Sequence, residues 1–219
     1  MRSVNERTNN ERMSQMNKTR AVLGSVMVAA LVLGAMGCST MRITMNPKAP
    51  TTELSNKRIP FKVALLMDSE FVNYHWQGTS GAEMSKLDYD LGSASKSLFL
   101  EAFMLVSKGV TLVDSKPPYS DSSRNDIVVV VQPKITGFSE EHSAWLRVVN
   151  YYSEITYHVS VYDRTGKSVL DKDYKAKGVA RGQATVSPGS NYAAPAEKAM
   201  AQAIVAIIDD ISKLKMAGE

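Results

Sequence analysis

The 219-residue chain contains a single cysteine, Cys38. One cysteine excludes an internal disulfide framework and the thiolate clusters of structural zinc or iron–sulfur sites. Histidine is nearly as scarce: His75, His142 and His158 have no metal-ligand spacing, and no H-E-x-x-H pattern occurs. The sequence also lacks a G-x-S-x-G elbow, a phosphate-binding P-loop and a dinucleotide-binding glycine fingerprint. The formal charge of +4 and pI near 9.0 invite a nucleic-acid reading, but the charge is local. Residues 1–37 hold five basic residues against two acidic ones, a net +3. The other 182 residues hold 21 basic and 20 acidic, so no nucleic-acid partner is expected. Hydrophobic residues at 44% and charged residues at 22% fit a folded chain and exclude a disordered one.

Lys18 and Arg20 precede Ala21 to Met36, a 16-residue run without charge. A membrane-spanning helix needs roughly 20 apolar residues, whereas a positive segment followed by a shorter apolar run is a secretory signal peptide. The stretch before Lys18 is long for a leader. Met13 and Met16 are alternative starts, and from Met16 the leader has ordinary proportions, which reads as a start-site overcall. The leader ends at Leu33-Gly34-Ala35-Met36-Gly37-Cys38, which resembles the lipobox of bacterial lipoproteins. Gly37 and Cys38 match that pattern, while Ala35 and Met36 stand where Leu and a smaller residue are more usual. The resemblance implies removal of residues 1–37, a diacylglycerol thioether on Cys38 and an N-acyl chain of the palmitate kind. Each buried methylene contributes about 0.8 kcal/mol, so three chains anchor durably where one does not. By the same resemblance, Ser39 in place of Asp sends the protein to the outer membrane, facing the periplasm. The bilayer is then a partner, and the covalent lipid stands in place of any cofactor. The alternative is a free cysteine that follows a signal peptide.

Residues 38–60, with three prolines and no periodicity, read as a flexible tether. As a coil of about 22 residues it spans roughly 25 Å. Residues 61–219 read as one α+β periplasmic domain. Phe61 to Met67 is a buried strand, Asp68 to Asp90 a long loop with a short element near Phe71 to Trp76. Leu91 to Lys108 is an amphipathic helix, with Leu91, Leu98, Ala102 and Leu105 on one face, capped by Asp90 and Gly109. Val110 to Asp114 is the next strand. Asp126 to Phe138 begins with a run of valines suited to a strand covered on both faces, and Pro133 turns its second half into an edge or a bulge. Ile155 to Asp163 alternates cleanly and returns through a tight turn to Ser168 to Ala176. Val179 to Tyr192 reads as a glycine-rich loop. From Pro195, a stripe of Met200, Ala203, Ile204, Ile207, Ile208, Ile211 and Leu214 marks a second helix. The order β-α-β-β-β-β-α predicts a mostly antiparallel sheet with two helices packed on one face.

This arrangement is similar to a set of small Gram-negative outer-membrane lipoproteins. The likeness is to the YajG type, with LptE, PelC and the N-terminal domain of TolB as broader relatives in shape. Asp126 to Phe138, the Tyr157 to Tyr174 hairpin and the helix from Ala194 to Leu214 carry it. The resemblance implies a non-catalytic partner of an envelope machine, and the Phe71–Asp90 loop and Ser139–Asn150 stretch depart from the compact forms.

Candidate chemistry is sparse. Tyr74-His75-Trp76 is either an exposed aromatic docking site or the loop's anchor to the core. Trp145, Tyr151, Tyr152 and Arg181 either stack on a glycan or fill a sheet face. His142, after Glu140 and Glu141, reads as part of a charged loop, and His158 as a solvated sheet-face residue. No catalytic residue and no metal ligand is assigned. The leading expectation is a non-enzymatic accessory or scaffold of an envelope assembly or export complex, tethered through Cys38, with another envelope protein as partner. The alternative is a glycan- or lipid-binding module. An envelope hydrolase is the least favoured reading.

Overall fold

In a computed structural model, the described residues are 40–79, 86–119, 126–145, 148–183 and 188–214. Cys38 and the leader lie outside them. The chain from Thr40 onward forms one compact unit. It contains β1 (Thr40–Ile43), α1 (Thr51–Leu54), β2 (Ile59–Leu66), α2 (Ser69–Val72), β3 (His75–Thr79) and β4 (Lys86–Asp90). These are followed by α3 (Leu91–Val106), β5 (Ser107–Val113), β6 (Ile127–Trp145), β7 (Val148–Asp163), β8 (Ser168–Gln183) and α4 (Pro188–Ser212).

The main sheet runs β5-β2-β6-β7-β8, and a smaller one runs β1-β4-β3. β2 is parallel to both β5 and β6, whereas the long β6–β7 and β7–β8 pairs are antiparallel. The central strand explains its own sequence. Val63 and Leu65 face the main core, and Ala64 and Leu66 join Val113, Ile127 and Val130 in a second cluster on the other side. A strand buried on both faces has no polar alternation to show. β7 does alternate: Ile155, Tyr157, Val159 and Val161 are fully buried while Glu154, Thr156 and His158 are not.

Both long helices pack on the same face. α3 buries Leu98, Phe99, Ala102 and Phe103, and α4 buries Met200, Ala203, Ile204, Ile207, Ile208 and Ile211, all in one core with β7. Phe99 meets Phe71 and Tyr157 edge-on at 5.8 and 5.4 Å. Ser95 Oγ and Tyr157 Oη share a buried hydrogen bond of 2.7 Å. The predicted α+β class with two helices on one face is the observed one.

Several expectations need correction. Residues 40–60 are not a free tether from Thr40 on. β1 pairs with β4, and Ile43, Leu54 and Ile59 are each 1% exposed. Lys57 also pairs with Asp209 of α4, whose carboxyl is held down at about 2 by Lys213 and Lys57. The Asp68–Asp90 loop contains α2, β3 and β4; Asp68 accepts from Phe71 N at 2.8 Å and so caps α2. Asp90 caps α3 as expected, accepting from Ser93 N at 3.1 Å, but Gly109 lies within β5. The helix instead stops at Ser107, whose hydroxyl donates to the Phe103 carbonyl at 2.7 Å. Leu105 is 46% exposed and does not belong to the buried face. Pro133 does not break the β6–β7 ladder, pairing with Val159; the irregularity falls between Ile135 and Gly137. Pro133 lies beyond Val131, the last β6 residue paired with β2, so the edge reading of this half-strand holds.

The described residues of the expected glycine-rich loop are regular: β8 continues to Gln183, and α4 starts at Pro188 with Pro195 inside it. Gly178 is what permits this: a Cβ there would lie 1.9 Å from the Pro195 carbonyl oxygen and 2.7 Å from Ala199 N. The missing side chain lets α4 settle directly on the β8 backbone.

Candidate functional site

β6 and β7 extend past the point where β2 ends, and the small sheet packs over this extension. Trp76 and Tyr89 meet Phe138 with ring centroids 5.2 and 5.0 Å apart. Strand alternation then directs Glu140 and His142 of β6, and Tyr151 and Ser153 of β7, toward the interior. Glu140 is registered with Ser153 and His142 with Tyr151. Tyr151 meets Tyr192 of α4 edge-on at 4.9 Å, and Tyr89 Oη donates to the Tyr192 carbonyl at 3.4 Å.

This interior pocket of polarity is incompletely satisfied. The Glu140 side chain is 1% exposed, and its Oε1 has no hydrogen-bond partner. The Ser153 hydroxyl, across the ladder, is also buried without one. His142 Nδ1 lies 3.9 Å from Glu140 Oε1, too far for a hydrogen bond. Burial, helped by the neighbouring Glu141 charge, pushes the Glu140 carboxyl up from the ordinary 4.5 to about 7. The chain thus holds a proton-binding carboxyl inside an aromatic wall. Sequence reading placed Glu140 and His142 in a charged loop because polar residues at inward positions erase the alternation that marks a strand.

The outward face of β7 and β8 carries a different cluster. His158 Nδ1 lies 2.8 Å from Asp173 Oδ1, and its Nε2 lies 3.0 Å from Asp171 Oδ1. Ser160 donates to Asp171 Oδ2 at 3.2 Å and stands 3.4 Å from His158 Nε2. With a carboxylate on each ring nitrogen, the imidazole has no free nitrogen aimed at the serine proton. The arrangement ties β7 to β8 on an open sheet face. Among the described residues, no group of three or more His, Cys, Asp and Glu is placed to hold a metal ion.

The outer face of the small sheet is a polar ladder of three rows. Thr40, Lys86 and Thr79 form the first, Arg42, Asp88 and Gln77 the second, and Asp90 with His75 the third. His75 Nδ1 is 3.2 Å from Asp88 Oδ1, and Arg42 Nη2 is 3.9 Å from Asp90 Oδ2. Beside it, an open groove of about 350 Å³ runs between β1 and the first turn of α3, lined by Arg42, Met45, Asn46, Asp90, Ser93 and Ser97.

The structure divides the residues picked from sequence. Tyr74 and Trp76 pack against the core, and only His75 of that trio is exposed. Tyr74 and Trp76 thus pack as the anchor reading of the trio expects, with His75 on the outer face. Tyr151 is buried at 7% exposure, while its neighbour Tyr152 turns to the outer face, where Lys177 Nζ lies 5.2 Å from its ring. Arg181 is exposed and registers with Asn150, beside Tyr152 on that outer face. Trp145 ends β6. Tyr151 and Tyr152 thus cannot stack on one glycan, because successive strand residues point to opposite faces. Cys38 lies outside the described residues.

No family model matches the chain, and no curated protein matches it in sequence. Several solved structures are similar in shape. A Xanthomonas campestris protein of the DUF330 family is 7% identical, with 78% of this chain and 92% of that one covered at a TM-score of 0.48. A minor lipoprotein from Acinetobacter baumannii is 13% identical over 74% and 99% of the two chains, at 0.36. The hypothetical protein CT253 from Chlamydia trachomatis is 10% identical over 70% and 98%, at 0.38. Among the described residues, no helix is long and apolar enough to cross a membrane.

Proposed function

We propose that this chain is an acyl-anchored bacterial lipoprotein of the outer membrane, facing the periplasm, that serves an envelope assembly or export complex without catalysing a reaction. The observation that carries the reading is the position of Cys38. It is the chain's one cysteine, and it follows Gly37 and a 16-residue uncharged run. The domain folds from Thr40, immediately after it. Three acyl chains there confine the domain to a membrane surface and raise its effective concentration for partners in that plane. The histidine–carboxylate–hydroxyl group on β7 and β8 supports a non-catalytic reading, because both imidazole nitrogens are already occupied by carboxylates.

The edge of the main sheet supports partner binding. β5 has β2 as its one neighbour among the described strands, and its Leu112 is 51% exposed. A shallow depression beside it is lined by Lys62, Gly109, Val110, Leu112 and Asp126. The opposite edge, β8, carries Lys172, Lys175 and Lys177, the kind of charged row that discourages strand addition. β5 is therefore the edge on which an extended segment of an envelope protein would pair. Affinity capture of the lipidated protein from membranes, read by mass spectrometry, tests this. Recovery of a distinct envelope protein that is lost with Leu112→Lys supports it; recovery of a glycan and no protein would overturn it.

A further inference from the structure

The distance between the anchor and the fold decides how the domain meets its membrane. A 22-residue coil would let it roam roughly 25 Å. Instead, β1 begins at Thr40, two residues after Cys38, so the two Cα atoms are at most ~7 Å apart. The headgroup layer on each side of the hydrocarbon is itself about 5–8 Å deep. Thr40 is not loose: β1 is paired in parallel with β4 from Thr40↔Lys86 to Ile43↔Tyr89, and Ile43 is 1% exposed. Whatever holds Cys38 in the bilayer therefore holds this end of the small sheet at its surface.

The charges on the ladder are graded to suit that position. The row nearest Cys38 is Thr40, Lys86 and Thr79, all exposed, and Lys86 has no acidic partner among the described residues. Arg42 stands in the next row, with a side chain 68% exposed and only a 3.9 Å contact to Asp90. The carboxylates Asp88 and Asp90 occupy the second and third rows, farther from the anchor. Resting on the acyl-anchored reading of Cys38, we propose that the Thr40–Lys86–Thr79 end of the small sheet is seated on phospholipid headgroups of the bilayer that holds Cys38, with Lys86 and Arg42 against their phosphates. The domain then presents one orientation to the periplasm, which a flexible tether would not impose.

The test uses the full acylated chain in vesicles of phosphatidylethanolamine with phosphatidylglycerol carrying a headgroup-linked quencher. A fluorophore is placed at Thr79→Cys or, in a second preparation, at Thr165→Cys in the β7–β8 turn. Seating predicts strong quenching at position 79 and little at position 165. Lys86→Gln should lower the docked-to-undocked ratio about fivefold, as should raised salt. Equal quenching at both positions on a chain whose Cys38 carries acyl mass overturns the seating and leaves the anchor standing. An unmodified Cys38 in the same preparation overturns both.

Discussion

Glu140→Gln is the sharpest perturbation available inside the fold. Glu140 has the ordinary value of 4.5 in an unfolded chain and about 7 in the folded one. Below 4.5 the carboxyl is neutral in both states and imposes no penalty. Between 4.5 and about 7 folding takes up a proton, so stability falls as pH rises; above about 7 the full cost of the buried charge is present. At 1.36 kcal/mol per pH unit, that interval is worth about 3 kcal/mol. Part of it is already lost at about pH 5, so about 2 kcal/mol is left to be lost between about pH 5 and about pH 8. Gln keeps the shape and an acceptor, cannot ionise, and adds donors facing the unpartnered Ser153 hydroxyl. The assay is urea unfolding of the mature chain with Cys38→Ser, at about pH 5 and about pH 8, on either side of that titration. The native chain should lose about 2 kcal/mol more than the variant between those conditions. The variant should also be the more stable of the two at the higher pH. Parallel profiles would refute the reasoning, since they would mean that Glu140 titrates alike in both states.

Other outcomes follow from the packing. Gly178→Ala should lower the thermal midpoint and loosen α4 in hydrogen exchange, because its Cβ would occupy the position of the Pro195 carbonyl; an unchanged midpoint would contradict the close approach. Gly166→Ala, at φ 85° and with a Cβ 2.6 Å from the Pro117 carbonyl, should cost about 1–2 kcal/mol in urea unfolding. Phe99→Ala, which removes a fully buried ring touching Phe71 and Tyr157, should cost about 3–5 kcal/mol by the same measure. Asp209, held at about 2 by Lys213 and Lys57, ties the 51–58 segment to α4. Proteolysis within that segment should accelerate as pH falls from 3.8 toward that value, and Asp209→Asn should abolish the acceleration.

How much of this was legible in the sequence depended on range. β7 and its turn were plain because alternation and Asp163-Arg164-Thr165-Gly166 are local signals: Asp163 Oδ1 accepts from Thr165 N at 2.8 Å and Lys167 N at 3.1 Å, and Gly166 takes the left-handed conformation. α4 was plain from its isoleucine stripe. β1 was not, because it is short and pairs with a strand 46 residues away in the register Thr40↔Lys86; β4, though it also pairs with nearby β3, is only five residues long. Residues 40–60 enter the core through isolated positions, Ile43, Ala49, Leu54 and Ile59, which have no period to detect. The mistaken tether followed from that sparseness. Glu140, Ser153 and His142 were missed for the opposite reason. They sit at inward positions of a regular strand, where polar residues conceal its face. Cys38 stands apart from these, because the signal that marks it is local chain chemistry and not folding.

The central claim is that Cys38 is the acylated first residue of the mature protein, and mass spectrometry of its N-terminal tryptic peptide tests this most directly. The account predicts a peptide spanning Cys38–Arg42 that carries diacylglycerol and an N-acyl chain, from a protein found in the membrane fraction. In a Cys38→Ala strain that peptide and the membrane association should disappear together. A mature chain that begins before Cys38, or an unmodified Cys38 on membrane-bound protein, would contradict it.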